Sequence, residues 1–450
     1  MNPTRSRRQF IKSTAAATAA AWVAPRVSIA RPGPPANSRI NLACIGIGNR
    51  GAINLAGFPD ENIVALCDVD DKVAADTYNA HPKAKRFRDF REMLDKSGRD
   101  IDAVVISTPD HTHYAATMAA MELGKHVFCE KPLAHTVEET RNMKADAAHH
   151  RVITQMGNQG HATEGIRFVK EWVEAGVLGE ITEVTAWLGA VNFDSRFFSK
   201  PTSFPPSATP VPAHLDWDLW LGPVKTDTPY NPIYHPRTWR GFYEFGGGLL
   251  GDWACHTLDA PYWALDLGMP TAVECVHKAG DSTIFVPATA VTRFEFPARN
   301  GRPPVVMHVH EGAPGPEIRP EWGLDQLPGE GMIITGSQAS LITGGRPNSP
   351  RLLPGDFWQD FRRNIPERTI PRIRGGHFQE WSDAIRNDGH TPGSSFDYAA
   401  GLTEMALLGV LAQRFGGRIE YDAENMRITN RPELTRHLQV SAREGWQFGT

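Results

Sequence analysis

The chain has no CxxC pair, no extended basic run, no internal repeat, and no apolar stretch as long as the roughly 20 residues needed to cross a bilayer. Each absence removes a class of protein. The five cysteines, Cys44, Cys67, Cys129, Cys255 and Cys275, are an odd number, and disulfide frameworks belong to small secreted domains. Most of them sit in apolar, strand-like runs and read as small core residues. Metal ligation by cysteine lacks the spacing it needs. A formal charge of −4 without a basic patch leaves no electrostatic footprint for nucleic acid. With 41% hydrophobic and 22% charged residues in 450, the chain is globular and long enough for two domains.

The N-terminus departs from this ordinary composition. Ser6-Arg7-Arg8-Gln9-Phe10-Ile11-Lys12 precedes an alanine-rich, mildly apolar run from Ser13 to Val23, and Ser28-Ile29-Ala30 has the small-x-small form of a cleavage site. The pattern reads as a twin-arginine export signal over residues 1–30, with a periplasmic or secreted mature chain starting near Arg31. Its removal takes away five positive charges and no negative one, moving the formal charge to −9.

The organising stretch is Ile40 to Gly51, INLACIGIGNRG. Its apolar start suits a strand buried on both faces, and Gly46, Gly48 and Gly51 follow at GxGxxG spacing. In that geometry the first glycine permits a tight turn, the second lets the backbone approach a pyrophosphate, and the third lets helix pack on strand. The helix N-terminus then offers free N–H groups to the anion. A second apolar run, Ile63–Cys67, ends in Asp68, 22 residues after Gly46, where a dinucleotide fold places the carboxylate for the adenosine ribose. Val69, Asp70 and Asp71 follow it in place of a cation, so NAD fits better than NADP.

Strand-like runs at Ile40–Ile45, Ile63–Cys67, Ile101–Ser107, His126–Cys129 and Val152–Met156 alternate with helical stretches at Val73–Ala80, His113–Leu123 and Val137–His149. This predicts a doubly wound parallel sheet over about 37–156. After a further helix at Glu164–Ala175 the pattern changes. Runs at Glu180–Leu188, Thr271–His277, Thr289–Phe296, Val305–His310 and Met332–Ile334 alternate as antiparallel strands do. Helices return at His377–Arg386 and Tyr398–Phe415, so 157–450 reads as a second, α/β domain with a large, mostly antiparallel open sheet. A proline-rich stretch from Phe197 to Pro236, holding Trp217 and Trp220, is long enough to suggest function, a surface insertion or a subunit contact.

Two further constellations carry candidate chemistry. Thr108-Pro109-Asp110-His111-Thr112-His113 and Gly124-Lys125-His126-Val127-Phe128-Cys129-Glu130-Lys131-Pro132 both lie at strand C-termini, the ligand edge of an open α/β sheet. One HxH without further ligands is weak support for a metal, and none is expected. In Gly246 to Asp259, GGGLLGDWACHTLD, Asp252 and His256 are i and i+4 neighbours on a helix, with Asp259 one turn further. A carboxylate that orients an imidazole makes a proton acceptor near neutral pH; a structural hydrogen bond is the other reading.

Taken together, the nucleotide motif with Asp68, TP-x-x-x-H at Thr108–His113, GKHVFCEKP, D-x-x-x-H, Gly157-Asn158-Gln159 and the HFQEWSDAI helix resemble the Gfo/Idh/MocA oxidoreductases, in particular their secreted twin-arginine group acting on sugars or glycosides. The resemblance runs from Ile40 to the C-terminus. It implies an NAD-binding Rossmann domain, with Gly46, Gly48, Asn49, Arg50, Gly51 and Asp68 on the cofactor, and a C-terminal domain for substrate and homo-oligomer contacts. It implies Lys131 on the reacting hydroxyl, His256 as proton acceptor, Asp252 as its partner, and Thr108, Pro109, His113, Glu130 and Asn158 along the nicotinamide and its ribose. Trp239, Arg240, Tyr243 and Asp259 are substrate candidates, with loop packing the alternative for the aromatics. Three functions fit: a sugar dehydrogenase, a glycoside-cleaving enzyme using NAD transiently by oxidation and elimination, and a non-catalytic carbohydrate binder, against which Lys131, Asp252 and His256 argue.

Asp68 generates the first test. Asp68→Ala should lose most of the preference for NAD over NADP in binding titrations; a variant that keeps the full preference would count against this role.

Overall fold

The computed structural model describes residues 38–449, apart from 190–192, 194, 226, 281, 313–314 and 387–389. The export signal expected over 1–30 lies outside the described residues. Buried apolar runs make the first sheet: β1 (Asn41–Ile45), β2 (Asn62–Cys67), β3 (Lys85–Phe87), β4 (Ala103–Ile106), β5 (His126–Cys129) and β6 (Thr154–Met156). All pair in parallel, in the order β3-β2-β1-β4-β5-β6. The order reverses beside β1, so the turns after β1 and β4 face one crevice at the sheet's C-terminal edge. β3 escapes sequence reading because it is a three-residue edge strand, Lys-Arg-Phe, without an apolar run.

The second sheet contains β7 (Ile181–Trp187), β8 (Ala272–Lys278), β9 (Ala290–Phe296), β10 (Val305–Glu311), β11 (Gly331–Gly336), β12 (Ser340–Gly344), β13 (Arg351–Leu353), β14 (Gly417–Asp422) and β15 (Arg427–Ile428). Its order is β13-β12-β11-β7-β10-β9-β8-β14-β15. Every pair is antiparallel except β7 with β10. β9 and β10 alternate buried and half-buried residues along their whole length, as a sheet with one covered face must. The four strands β12 to β15 were not anticipated. They are short, and β14 interleaves Arg418 and Glu420 with Ile419 and Tyr421, which mutes the apolar signal.

The helix Phe396–Phe415 covers that sheet and is apolar nearly all round, because it is packed on both sides. On one, Gly409 lets Phe294 approach, since a Cβ there would lie 2.6 Å from the ring. On the other, Glu404 receives Arg141 from the helix Val137–His150, at 2.6 and 2.9 Å. The helix Gly376–Arg386 instead lies against the parallel sheet. Trp381, fully buried, packs with Phe378 and Phe58 around Phe128 of β5, with ring centroids 5.4 to 6.0 Å from Phe128. The chain's last third therefore closes over its first. Among the described residues no helix is long and apolar enough to cross a membrane.

Phe128 makes the join testable. Phe128→Ala should cost about 3–5 kcal/mol, read as a clear fall in the thermal midpoint; an unchanged midpoint would show that the aromatic cluster does not carry this interface.

Candidate active site

The crevice edge is built by the turn after β1. Gly46 has φ of +75°, and a Cβ there would lie 2.8 Å from the backbone of Ser107 and Thr108, so this turn passes directly under the one after β4. A Cβ on Gly51 would lie 1.8 Å from the Gly46 carbonyl oxygen, which is why the helix Arg50–Ala56 can begin so close to the strand. Gly46, Gly48, Asn49 and Arg50 line a cavity of about 650 Å³. Gly51 does not line it and acts through packing alone. The Asp68 carboxylate also lines it and accepts from Ile47 N at 2.9 Å, Gly48 N at 3.3 Å and Asp70 N at 3.0 Å. Burial raises its pKa, and these amides oppose the rise. A cation does reach this end from elsewhere in the sequence, Arg88, but its charge is met by Asp71.

At the other end of the cavity, Lys131 donates from Nζ to Asp252 Oδ1 at 2.5 Å and to the Asp252 carbonyl at 2.8 Å. Arg240 Nε lies 3.3 Å from Asp252 Oδ2. Burial raises the Asp252 carboxyl, but the two cations outweigh it and hold the group well below the usual carboxylate range. Helical spacing does place Asp252 and His256 on one face, yet the carboxylate turns to Lys131 and Arg240 and makes no hydrogen bond with His256. This corrects the expected Asp252–His256 pair. The His256 imidazole is 1% exposed, lies edge-on to Trp253 with centroids 5.1 Å apart, and its Nδ1 has no partner among the described residues. Burial, then the charges of Lys131 and Arg346, hold it well below its ordinary pKa. It is a neutral base with a free ring nitrogen.

The other expected residues divide between the cavity and its support. Thr108, Pro109, Glu130, Trp239 and Arg240 line it. Thr108 Oγ1 has no partner among the described residues, and Glu130 accepts from Arg50 at 2.7 Å and Asn54 at 3.0 Å. His113 does not line it. Its ring nitrogens lie 2.8 Å from the Pro132 carbonyl and 2.9 Å from that of Thr108, so it is a strut between the Thr108–Pro109 and Lys131–Pro132 turns. Asn158 and Asp259, both fully buried, also lie outside the cavity. Asp259 bonds Asn158 Nδ2 at 2.9 Å, His161 Nδ1 at 2.9 Å and the Tyr398 hydroxyl at 2.6 Å; three segments meet on one carboxylate. Tyr243 is 2% exposed and packs under Arg414, 5.5 Å from its ring centroid. His113, Asn158, Asp259 and Tyr243 thus stand behind the cavity wall in this structure, buried among protein partners rather than lining it.

Sequence reasoning passed over Asp110 and Arg346. Both line the cavity. Asp110 is 3% exposed; burial and the neighbouring Asp252 charge push its carboxyl up to about 8, against Arg240 and Lys131. One carboxyl is thus ionised and its neighbour protonated at neutral pH, the arrangement by which active sites separate acid from base. Position next to Thr108-Pro109 was the available signal.

Residues 40–158 match the GFO_IDH_MocA oxidoreductase family's NAD-binding Rossmann fold, and residues 162–282 its C-terminal α/β domain. The inositol 2-dehydrogenase/D-chiro-inositol 3-dehydrogenase of Shouchella clausii is 34% identical over 120 residues, 26% of this chain and 34% of that protein. Levoglucosan dehydrogenase of Pseudarthrobacter phenanthrenivorans is 30% identical over 195 residues, 43% of this chain and 40% of that protein. The chain thus spans well under half the length of these relatives. Among solved structures, the WlbA dehydrogenase of Chromobacterium violaceum with NADH and UDP-GlcNAcA has a TM-score of 0.60 at 17% identity, over 88% of this chain and 99% of that one. An inositol dehydrogenase homolog of Azotobacter vinelandii with NADH and myo-inositol has 0.56 at 18%, over 85% and 98%. At such identities the likeness is one of fold.

Asp110 yields a stability test. Its carboxyl ionises near 3.8 when unfolded and near 8 when folded, so the unfolded state sheds its proton first and this group costs more stability as pH rises from about 4 to 8. Asp110→Asn removes that cost. Its thermal midpoint relative to the parent should rise between pH 4 and pH 8.5; a difference that does not change with pH would show Asp110 to be ionised in the fold.

Proposed function

Because this chain belongs to the Gfo/Idh/MocA family of oxidoreductases, whose Rossmann domain binds NAD, we propose that it oxidises a secondary hydroxyl of a sugar or glycoside. The carrying observation is the Lys131–Asp252 pair inside the same cavity as the glycine turn and Asp68. The cradle suits a dinucleotide: a turn closed to any Cβ at Gly46, and a carboxylate beside it. When bound there, NAD would supply a hydride acceptor. Lys131, fixed by Asp252, holds the substrate oxygen and stabilises negative charge developing on it. His256, neutral and unpaired at Nδ1, takes the hydroxyl proton. Trp239 and Arg240 in the wall give the sugar an aromatic face and a donor. The half-exposed face of β9 and β10 offers the surface for a homo-oligomer.

The double-arginine leader supports export to the periplasm or beyond, and with it a retained cofactor. Retention for hours needs release slower than about 10⁻⁴ s⁻¹; with association near 10⁶ M⁻¹s⁻¹ the dissociation constant is about 10⁻¹⁰ M, or roughly −14 kcal/mol. NAD held that tightly does not diffuse away as product. Each turnover then returns the hydride within the site, to an oxidised intermediate of a glycoside being cleaved or epimerised, or to a second sugar.

Lys131→Ala and His256→Ala should each lower the rate by about 10²–10⁴-fold while NAD stays bound; a loss below tenfold for both would place the site elsewhere. Multiple turnovers without added NAD and without net reduced cofactor would support internal return. One turnover per protein, followed by strict need for NAD and equimolar reduced product, would leave a conventional dehydrogenase.

A further inference from the structure

The proline-rich stretch from Phe197 to Pro236, with Arg237 after it, forms an insertion of the second domain that is tied to the nucleotide edge of the first at three separate places. The main tie is Asp70, two residues beyond the ribose carboxylate Asp68. It is 1% exposed and accepts from Lys72 N at 2.8 Å and Val73 N at 3.1 Å, which caps the helix Asp71–Ala80. Two imidazoles from the insertion reach the same carboxylate, His214 through Nδ1 at 2.9 Å and His235 through Nε2 at 2.7 Å. Backbone bonds flank them: Asp71 N donates to the His214 carbonyl at 3.0 Å, and Asp216 N to that of Val69 at 2.9 Å. A cap needs only the two amides. The imidazoles serve the insertion.

The second tie lies on the glycine turn, where Arg237 donates to Asn49 Oδ1. The third lies at the start of the helix Asp110–Glu122 that follows β4, where His111 Nε2 is 2.9 Å from the Trp220 carbonyl. Between the ties, Phe197, Phe198, Trp220 and Pro236 wall the same cavity that Gly48 and Asp68 floor. Val69, between the two aspartates, packs into the insertion's aromatic cluster with Trp217 and Trp220. A dinucleotide on Gly48 and Asp68 therefore lies between the Rossmann edge and a roof pinned on either side of the ribose carboxylate.

We propose that His214 and His235, acting through Asp70, are positioning residues that keep this roof over the bound dinucleotide and set how slowly it leaves. The proposal rests on the reading that the cavity holds NAD. It accounts for retention by this chain's own residues, and it makes the roof and the cofactor mutually stabilising, since coupling between two binding events is reciprocal.

The experiment uses full-length protein loaded with NADH and follows loss of nicotinamide fluorescence into excess NAD. His214→Ala/His235→Ala should release NADH about 10–100-fold faster than the parent, as loss of two bonds to a carboxylate implies. His214→Gln/His235→Gln, whose amides can still donate, should recover most of the difference, and His277→Ala on the distant β8 should match the parent. A parent-like release rate in the double alanine variant overturns the proposal. So that a folding defect cannot decide the matter, hydrogen exchange is also followed in the unmutated protein. The Asp71 and Asp216 amides should exchange at least tenfold more slowly with NAD bound than after stripping; equal protection in the two states overturns the proposal. A parent that binds no NADH at all overturns the cavity reading itself, an outcome distinct from fast release.

Discussion

The ion pair between Lys131 and Asp252 is the constraint on which the site depends. Lys131 lies in the turn two residues after β5 of the parallel sheet and Asp252 lies on a helix of the second domain, 121 residues later. Their side chains are 11% and 16% exposed, so each charge would be costly without the other. The pair can form only when the two domains close at the correct depth, and closing them makes the cavity. The cavity's two ends then differ in kind, with the glycine turn and the Asp68 carboxylate at one and an ammonium, a neutral imidazole and a protonated carboxyl at the other.

Closure at that depth is held from beneath and from the side. Beneath, Asp259 gathers Asn158, His161 and Tyr398; because Asp259 follows directly on the helix carrying Asp252 and His256, this buried hub fixes their height. At the side, Phe128 and Trp381 join the parallel sheet to a helix from near the end of the chain. His113 ties the two cavity-lining turns together through their carbonyls. None of these residues lines the cavity, and each constrains one that does.

The electrostatics follow from the same burial. Asp252 and Asp110 are both carboxyls in a cavity wall, yet Asp252 faces two cations and stays ionised while Asp110 faces Asp252 and keeps its proton. His256, among cations and out of water, stays neutral. A hydroxyl placed here would meet an ammonium to hold its oxygen and an imidazole lone pair to take its proton.

What the sequence determined by itself is local and periodic. The glycine spacing, the strand ending at Asp68, the apolar alternation and the strand-terminal Lys131 each express chemistry within a few residues, so two domains and the cofactor were legible, as were Gly46, Gly48, Asp68, Lys131 and His256 as cavity residues. What tertiary structure decided is which distant group each polar side chain meets. Helical spacing put Asp252 beside His256, but two cations from other segments claimed the carboxylate. Asn158, Asp259 and His113 sit in suggestive motifs and turned inward, because a buried polar group goes to whatever partner the packing offers. Asp110 keeps its proton because the fold buries it and then sets the Asp252 charge beside it. Short strands with charged alternation, such as β14, carry too little apolar pattern to declare themselves and form because neighbouring strands offer an edge.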